Sequence, residues 1–509
     1  MIVRWSAAIL LCASVATHAI SQLDTGAQSV TLPAVGELKD GWNQLRPRGE
    51  TTCAMGAPYH FYARRGSAQK LLVFFEGGGA CWRGGDCERG RPVYEPEIVS
   101  GAPGVEPTLR GILDLAHPET PLADRSAVVL PYCTGDVHLG DRAETYTVSG
   151  STSDSRSFTI HHRGQVNAMA VLRWIYANFP APREIFVAGH SAGAVATPFY
   201  ASVLAQHYPT ARVIALADDG GLLHGAAIAG ADFSRWGHPD VVRRHRGWEK
   251  LPEDWGTPDL FVMAARSAAN LKLFQIDHAY DPVQYSYIAL SAAPDMPTAV
   301  KRLQGGVQGS ELVGLLRANR KEIAAQIDAF RSFTVGGRAH GIVQNDRFYA
   351  YHTNGQRVRD WVGSIAGGEP VSSVDCTSCW RPELRFTDQD LRIVDRAHEL
   401  LSPSGVWDSQ DRPGTCPPPG NRYTLRCALR KATSDVTGMA SDNENQDPAA
   451  VAEVTYSVID RLGNRERLFG GPPLIVYNNR PETTVADVIG LFNEARQKIQ
   501  TDLLARSKQ

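Results

Sequence analysis

The pentapeptide GHSAG, residues 189–193, is the stretch of this sequence whose residue types and spacing most clearly allow chemistry. It follows the apolar run EIFVA at residues 184–188 and precedes a helical pattern, which predicts a sharp turn between a strand and a helix. Bulky side chains two residues before or after Ser191 would collide with the neighbouring strand and helix, and this explains both glycines. The hydroxyl would then project beside a helix N-terminus, where developing negative charge is favoured. We therefore predict that Ser191 is a nucleophile, and the alternative is an ordinary helix-capping serine.

This strand–turn–helix pattern is the nucleophile elbow of α/β-hydrolases, in which backbone N–H groups bind the oxyanion. One N–H comes from the residue after the nucleophile, here Ala192, and the others come from a loop after an earlier strand. The stretch LLVFFEGGGACW, residues 71–82, places three glycines directly after a buried strand. We expect the amides of Gly78, Gly79 and Ala192 to form the oxyanion hole. A simple tight turn is the alternative for the glycines.

In this fold the acid and then the histidine follow the serine along the chain. His340 lies in the short loop GGRAH after the strand-like SFTV, whereas His352 lies later, in a hairpin-like segment. Position therefore favours His340 as the base. The residues leave the acid open among four aspartates at strand ends, which are Asp218, Asp219, Asp277 and Asp281.

Strand-like runs alternate with helical patterns as far as about Trp380, and this alternation indicates a mainly parallel sheet flanked by helices. The runs are residues 71–76, 126–133, 184–188, 212–217, 271–276 and 332–335, with helical patterns at 163–179 and 192–207. We predict an α/β-hydrolase-type domain over residues 32–380. Residues 385–509 are predicted to form a small, mostly helical C-terminal module, although an extension packed on the first domain is an open alternative.

The N-terminus indicates export. A single arginine, a short apolar run and the small-residue pattern THA are typical of a signal peptide over residues 1–19, and no segment is typical of a membrane span. The protein is therefore expected to be secreted or periplasmic. The net charge of −2 gives no indication of a nucleic-acid partner. The sequence leaves the oligomeric state open.

Eight cysteines remain after the predicted signal peptide, and an even number in an oxidising compartment indicates disulfides. The spacing makes two local bridges plausible, Cys81–Cys87 and Cys416–Cys427. The CTSC motif at residues 376–379 could be half of a zinc site, but no second pair matches it. We therefore predict no metal site, and the chemistry of a serine nucleophile requires no cofactor.

Several of these segments together resemble the pectin acetylesterase family, which also contains the animal deacylase Notum. The similar segments are FFEGGGACW, PYCTGDVHLGD at residues 131–141, GHSAGA, AYDPVQ at residues 279–284 and GGRAHGI. The resemblance implies that Asp281 is the acid, supports His340 as the base and implies the Cys81–Cys87 bridge. The sequence departs from the family pattern at Ala194 and at Gly79–Ala80, and the second change concerns the shape of the acyl pocket. Trp82 and His138 are expected to border that pocket.

We interpret the chain as a secreted serine carboxylesterase that hydrolyses an O-acyl ester, in first place an O-acetyl ester of a polysaccharide. A long-chain acyl esterase or an amidase on the same triad is the first alternative. A hydrolase-fold protein that binds without catalysis is the second. The C-terminal stretch IVYNNRPETTVADVIGLFNEA weakly resembles a helical module of unknown function in other bacterial proteins, and it implies no activity.

Overall fold

The computed structural model describes residues 32–90, 93–98, 110–149, 155–224, 230–402, 406–412, 416, 422–438, 447–468 and 472–508. The predicted signal peptide, residues 1–19, lies outside these described residues. Among the described helices, none has the length and apolar character that crossing a membrane requires.

Strands and helices alternate along most of the described chain, and helices predominate after residue 388. The strands are β1 (Trp42–Leu45), β2 (Phe61–Arg64), β3 (Ser67–Phe75), β4 (Arg125–Leu130), β5 (Arg142–Ser149), β6 (Ser155–His162), β7 (Glu184–His190), β8 (Arg212–Asp218), β9 (Leu271–His278), β10 (Val307–Gln308), β11 (Arg331–Val335), β12 (Tyr351–Thr353), β13 (Gln356–Arg357), β14 (Glu383–Leu384) and β15 (Arg467–Leu468). The α-helices are α1 (Gly84–Cys87), α2 (Gly164–Asn178), α3 (Ala192–His207), α4 (Asp240–Arg243), α5 (Thr257–Ser267), α6 (Pro282–Ser291), α7 (Met296–Gly305), α8 (Gly309–Ala324), α9 (Arg347–Ala350), α10 (Val358–Gly367), α11 (Asp388–Leu401), α12 (Leu425–Thr437), α13 (Ala449–Arg461), α14 (Pro473–Asn478) and α15 (Val485–Arg506).

A large mixed sheet forms the centre of the protein. Its eight strands have the order β1-β2-β4-β3-β7-β8-β9-β11. The pairs from β4 to β11 are all parallel, and only the pairs of β2 with β1 and with β4 are antiparallel. The side chains of Leu71 to Phe75 in the central strand β3 are fully buried, as expected for a parallel sheet covered on both faces. This sheet with its flanking helices confirms the predicted α/β-hydrolase-like class.

All six apolar runs predicted as strands lie in this sheet, and the two predicted helices are α2 and α3. Among the strands of four or more residues, those that the sequence pattern does not predict are β1, β2 and the long antiparallel hairpin of β5 and β6. β1 and β2 have only four residues each, and most residues of β5 and β6 are exposed or half-buried, so a search for continuous apolar segments does not find these strands.

The C-terminal residues form helices α11 to α15 with one short strand, β15. A single cluster of buried apolar side chains extends from β8, β9 and β11 through α10 to α11, α12, α13 and α15. Phe333 of β11, Trp361 of α10 and Val394 of α11 belong to it. The helices at residues 388–506 therefore pack on the sheet region through a continuous apolar core. The domain boundary near residue 385 stays a prediction.

Four disulfides occur in the described residues, and they include both local bridges that the cysteine spacing predicts, Cys81–Cys87 and Cys416–Cys427. The third joins Cys53 to Cys133 across 80 residues. Cys376 and Cys379 form the fourth bridge, so their sulfurs are bonded to each other and are not thiolate ligands for zinc.

Candidate active site

The candidate residues converge because five parallel strands end at the same edge of the sheet. The GGG loop follows β3, Ser191 follows β7, Asp219 follows β8, Asp281 follows β9 and His340 follows β11. Open α/β sheets bind ligands at this carboxyl edge. Residues that are far apart in sequence are thereby brought to one place by the topology alone.

Ser191 lies in a strained turn between β7 and α3. Its φ of 56° and ψ of −120° are unusual for a residue with a side chain, and its N–H donates to the carbonyl of Asp218 at 2.8 Å. A Cβ on Gly189 would lie 2.3 Å from the carbonyl oxygen of Gly193, and one on Gly193 would lie 2.0 Å from that of Phe75 in β3. Both glycines are therefore required by the close approach of helix and strand, as the sequence pattern predicts.

His340 and Asp281 form a hydrogen-bonded pair. Nδ1 of His340 lies 2.7 Å from Oδ2 of Asp281, and both side chains are buried. Nε2 of His340 has no hydrogen-bond partner among the described residues, and His340 and Ser191 line the same cavity. The structure thus brings a serine, an imidazole whose Nε2 has no hydrogen-bond partner among the described residues and a buried carboxylate bonded to Nδ1 to one place, and these are the groups that general-base activation of an alcohol uses.

Asp281 is also held rigidly by its own helix. As the N-cap of α6 it accepts hydrogen bonds on Oδ1 from the N–H groups of Val283 (2.8 Å) and Gln284 (3.0 Å). The side-chain amide of Gln284 donates to Oδ2 at 2.9 Å, and its oxygen accepts from the N–H of Leu222. Together with the His340 ring, these groups fix the carboxylate in place beside the imidazole.

The other three aspartates that the sequence left open have different partners. Asp218 accepts from the N–H groups of Ile342 and Val343, and Asp277 pairs with Arg320. Asp219 accepts from the His278 ring at 2.8 Å and from the N–H of Gly341 at 2.5 Å. Of the four carboxylates, only Asp281 hydrogen-bonds the His340 ring, whereas Asp219 lines the cavity beside Ser191.

These charges set the protonation of His340. Burial by itself lowers the pKa of a histidine, but here the carboxylates of Asp281, Asp219 and Asp218 outweigh burial and raise the pKa of His340 to about 9. His190 lies next to it, with ring centroids 4.8 Å apart. Burial and then the neighbouring His340 lower the pKa of His190 to about 3. His340 is therefore the basic imidazole of this pair.

Two of the three expected oxyanion donors belong to residues at the cavity beside Ser191. The N–H groups of Gly78, Gly79 and Ala192 donate to no other described residue. Gly79 and Ala192 line the cavity beside Ser191. Gly78 is not among the lining residues, and a Cβ on it would lie 2.2 Å from the Tyr132 ring. Gly79 has a φ of 79°, and a Cβ there would lie 2.2 Å from the hydroxyl of Tyr287. Position 79 therefore requires a glycine, because a side chain there would collide with Tyr287 and would strain the backbone.

The cavity above Ser191 is narrow and apolar, with a volume of about 60 Å³. Besides Ser191, Ala192 and His340, the side chains that line it include Trp82, Val137, Val195, Leu223, Phe233, Trp236, Trp255, Val283, Gln284 and Tyr287. Trp82 thus borders the cavity, in the place where the sequence predicts it. The aromatic wall from residues 233–255 was not predicted, and its only sequence signal is the clustering of tryptophan in that stretch.

His138 does not line this cavity, so the expectation that it borders the pocket is wrong. It is buried under the glycine loop, where its Nε2 lies 2.9 Å from the carbonyl oxygen of Glu76 and its ring packs edge-on against Phe75 and Tyr132. The neighbour that does line the cavity is Val137, which has a φ of 48°. The structure therefore gives His138 the position of a support for the loop between β3 and α1.

Three groups of side chains in the described residues have potential metal-binding atoms close together. Two of them contain Cys81 with Cys87 or Cys376 with Cys379, whose sulfurs are in disulfides. The third is Asp219, Asp281 and His340, in which Nδ1 of the histidine already bonds to a carboxylate.

Comparison with known protein families gives two matches along the chain. A family model described as Pectinacetylesterase matches residues 45–337, a range that includes the GGG loop, Ser191 and Asp281 and ends three residues before His340. A second model, for a family of unknown function (DUF6197), matches residues 386–498. No curated protein matches the chain. Since the first match covers more than half of the 509 residues, the chain belongs to the pectinacetylesterase family.

Proposed function

We propose that this protein is an exported serine carboxylesterase that removes a short O-acyl group, in first place acetate, from a polysaccharide. One observation supports this most directly. Ser191 and His340 line one cavity, Nε2 of His340 has no hydrogen-bond partner among the described residues, and Nδ1 of the same ring bonds to buried Asp281 at 2.7 Å. Family membership supports the ester as the bond that is cleaved.

In the proposed reaction, Ser191 Oγ attacks the ester carbonyl while Nε2 of His340 takes the hydroxyl proton. Asp281 keeps the imidazole in the tautomer whose Nδ1 carries the proton, and it stabilises the imidazolium that forms. The backbone amides of Gly79 and Ala192, together with that of Gly78, bind the oxyanion. His340 then protonates the leaving alcohol, and water attacks the acyl-serine with the same imidazole as base.

The cavity supports a small acyl group. A volume of about 60 Å³ has room for only a few groups of the size of a water molecule. Its walls offer an acyl tail almost exclusively apolar contacts, and the sugar alcohol would remain at the mouth of the cavity. An acetyl group, which is small and apolar at its methyl end, fits a site of this volume and lining.

A second candidate, an esterase for longer acyl chains, is favoured by one specific observation. The apolar wall is much larger than an acetyl group needs, since it includes Trp82, Phe233, Trp236 and Trp255. Each methylene that such a wall buries contributes about 0.8 kcal/mol to binding. Side-chain movement in this wall would lengthen the cavity, and the acyl preference therefore distinguishes the two candidates.

A series of aryl esters of increasing acyl length, with matched aryl amides, tests the proposal. We expect the highest kcat/KM for acetyl or propionyl esters, a steep fall at longer chains, and no turnover of the amides. Release of acetate from acetylated pectin and acetylated xylan then compares the polysaccharides. A maximum at eight or more carbons would replace the first candidate with the second. Turnover of amides would indicate an amidase, and no turnover of any substrate would favour a binding protein.

The pH dependence of kcat/KM follows from the surroundings of His340. A general base must be neutral in the free enzyme, and the pKa of His340 is raised from 6.5 to about 9. We expect kcat/KM for an aryl acetate to rise with pH through a midpoint well above 6.5. The same interaction stabilises the fold below pH 6.5, and this stability is lost as the pH rises through about 9. A midpoint at or below 6.5 would contradict this.

Export is part of the proposal. Four disulfides in the described residues fit an oxidising compartment, and the predicted signal peptide provides the route. The near-neutral net charge of −2 offers no electrostatic basis for binding nucleic acid.

A further inference from the structure

The loop that carries Asp281 contacts the C-terminal part of the chain. The residue before it, Tyr280, donates its hydroxyl to the carboxylate of Glu466, with distances of 2.7 and 2.8 Å to the two oxygens. The Tyr280 ring also packs on Gly309, where a Cβ would lie only 2.1 Å away. The N–H of Gly309 donates to the carbonyl of Glu466 at 2.7 Å. The loop that carries Asp281 is therefore held on Glu466 in two ways. The Tyr280 hydroxyl bonds the Glu466 carboxylate, and the Tyr280 ring packs on Gly309, which bonds the Glu466 backbone.

The loop that carries His340 contacts the same part of the chain. The N–H of Arg338, two residues before the histidine, donates to the hydroxyl of Tyr456 at 2.8 Å. The Arg338 guanidinium donates to the carbonyl oxygens of residues 464, 465 and 467 at 2.8–3.1 Å. Gly337 has a φ of 106°, and a Cβ there would lie 2.2 Å from the Tyr456 hydroxyl. The histidine loop thus lies directly against buried Tyr456.

We call residues Tyr456 to Leu468 the C-terminal clasp. Strand β15 of the clasp pairs with β10, which lies between Asp281 and His340 in the sequence, and Leu468 is opposite Val307 in this pair. The two loops are also joined to each other, since the N–H of Tyr280 donates to the carbonyl of Gly337 at 3.0 Å. A shift of the clasp would therefore displace the loops that carry Asp281 and His340, and it could change the distance between these two side chains.

We propose that Tyr456 and Glu466 of the C-terminal clasp are positioning residues for the proposed active site, so that the region matching the family of unknown function is required for full turnover. This rests on the proposed function. Neither residue touches the reacting atoms. Glu466 acts through Tyr280 on Asp281, and Tyr456 acts through the backbone of Arg338 on His340. Since His340 needs Nδ1 within hydrogen-bond distance of Asp281 to present Nε2 as base, small displacements of either loop reduce kcat.

Matched pairs of variants in the full-length protein test the proposal. Tyr456→Phe is compared with Tyr477→Phe, because both tyrosines are about 5–6% exposed and accept a hydrogen bond from an arginine residue. The partner of Tyr477 is Arg461, a clasp residue whose guanidinium bonds residues 477, 487 and 494 and neither of the two loops. Glu466→Ala is compared with Glu494→Ala, since Glu494 pairs with the same Arg461. Glu466→Gln keeps an oxygen that can accept from Tyr280, and it serves as the conservative rescue.

We expect Tyr456→Phe and Glu466→Ala each to lower kcat for an aryl acetate about 3- to 10-fold, the effect of losing one net hydrogen bond at the active geometry. KM should stay nearly constant, and the acid limb of kcat/KM should move to lower pH because His340 loses part of its contact with Asp281. Tyr477→Phe and Glu494→Ala should match the wild type in both readouts. Glu466→Gln should recover most of the loss.

Tyr280→Phe completes a double-mutant cycle with Glu466→Ala. If Glu466 acts through Tyr280, the double variant should be no slower than the slower single variant. Organophosphonate labelling of Ser191 counts the folded, reactive sites, so that partial unfolding is not read as a loss of kcat. The proposal is overturned if the clasp variants keep the kcat and pH profile of their matched controls, or if Tyr280→Phe and Glu466→Ala have fully additive effects. Failure of the proposed function would differ, since Ser191 would not label in the wild type.

Discussion

Replacing Ser191 with alanine is expected to lower kcat toward aryl acetates by on the order of 10⁶-fold, the loss found when a serine nucleophile is removed from a triad. The fold should be unaffected, because the Ser191 side chain makes no capping hydrogen bond to α3 and an alanine Cβ fills the same space. The free energy of unfolding should change by less than about 0.5 kcal/mol. Steady-state hydrolysis together with thermal unfolding measures both quantities.

Ser267→Ala is the matched control for this substitution. Ser267 is half-buried at the end of α5, and its hydroxyl donates only to the carbonyl of Ala264 at 2.9 Å. This variant should keep wild-type turnover and should react with an organophosphonate as the wild type does, whereas Ser191→Ala should not react. Turnover of Ser191→Ala close to that of the wild type would remove Ser191 as nucleophile and with it the proposed mechanism.

The elbow and the sheet can be predicted because their signals are local. GHSAG between an apolar run and a helical pattern specifies a strand, a turn and a helix within a short segment, and the structure has β7, Ser191 and α3 at these positions. The glycines at 189 and 193 have the same origin, since a Cβ on either would lie within 2.3 Å of a backbone oxygen. No long-range information is needed for this part of the fold.

The choice of acid is different, because it depends on a contact between residues 59 positions apart. Asp218, Asp219, Asp277 and Asp281 all lie at the ends of parallel strands, and all are buried. Their spacing gives no reason to prefer one, and only the family resemblance selected Asp281. In the structure, the 2.7 Å contact with Nδ1 of His340 makes the distinction.

The cavity wall and the C-terminal clasp lie beyond what the sequence can specify. Trp236 and Trp255 belong to a stretch without regular periodicity, and they reach the cavity only through tertiary packing. Likewise, the pairing of Glu466 with Tyr280 joins residues 186 positions apart. A local sequence pattern carries no information about such contacts. His138 is the opposite case, since its motif suggested the pocket while its side chain turns below the loop.

Asp281→Asn is expected to lower kcat by about 10⁴-fold, as for the equivalent change in other triads. The reason is visible in the hydrogen bonds of the carboxylate. Oδ1 accepts from the backbone N–H groups of Val283 and Gln284, and an asparagine would keep its oxygen there. Its NH₂ group would then face Nδ1 of His340, which must become the acceptor. The proton would move to Nε2, and the imidazole could no longer take a proton from Ser191.

The same variant makes a second, independent prediction about pH. Without the Asp281 carboxylate, burial lowers the pKa of His340 with less opposition, so the acid limb of the residual kcat/KM should move to lower pH than in the wild type. Asp295→Asn is the matched control, because Asp295 caps α7 through the N–H of Thr298 at 2.8 Å and has no histidine partner among the described residues. It should keep both rate and pH profile. A loss of less than tenfold in kcat with an unchanged acid limb would contradict the role of Asp281. Another carboxylate would then have to hold the proton on Nδ1 of His340. Asp219 lies in the same group of side chains and would be the residue to replace next.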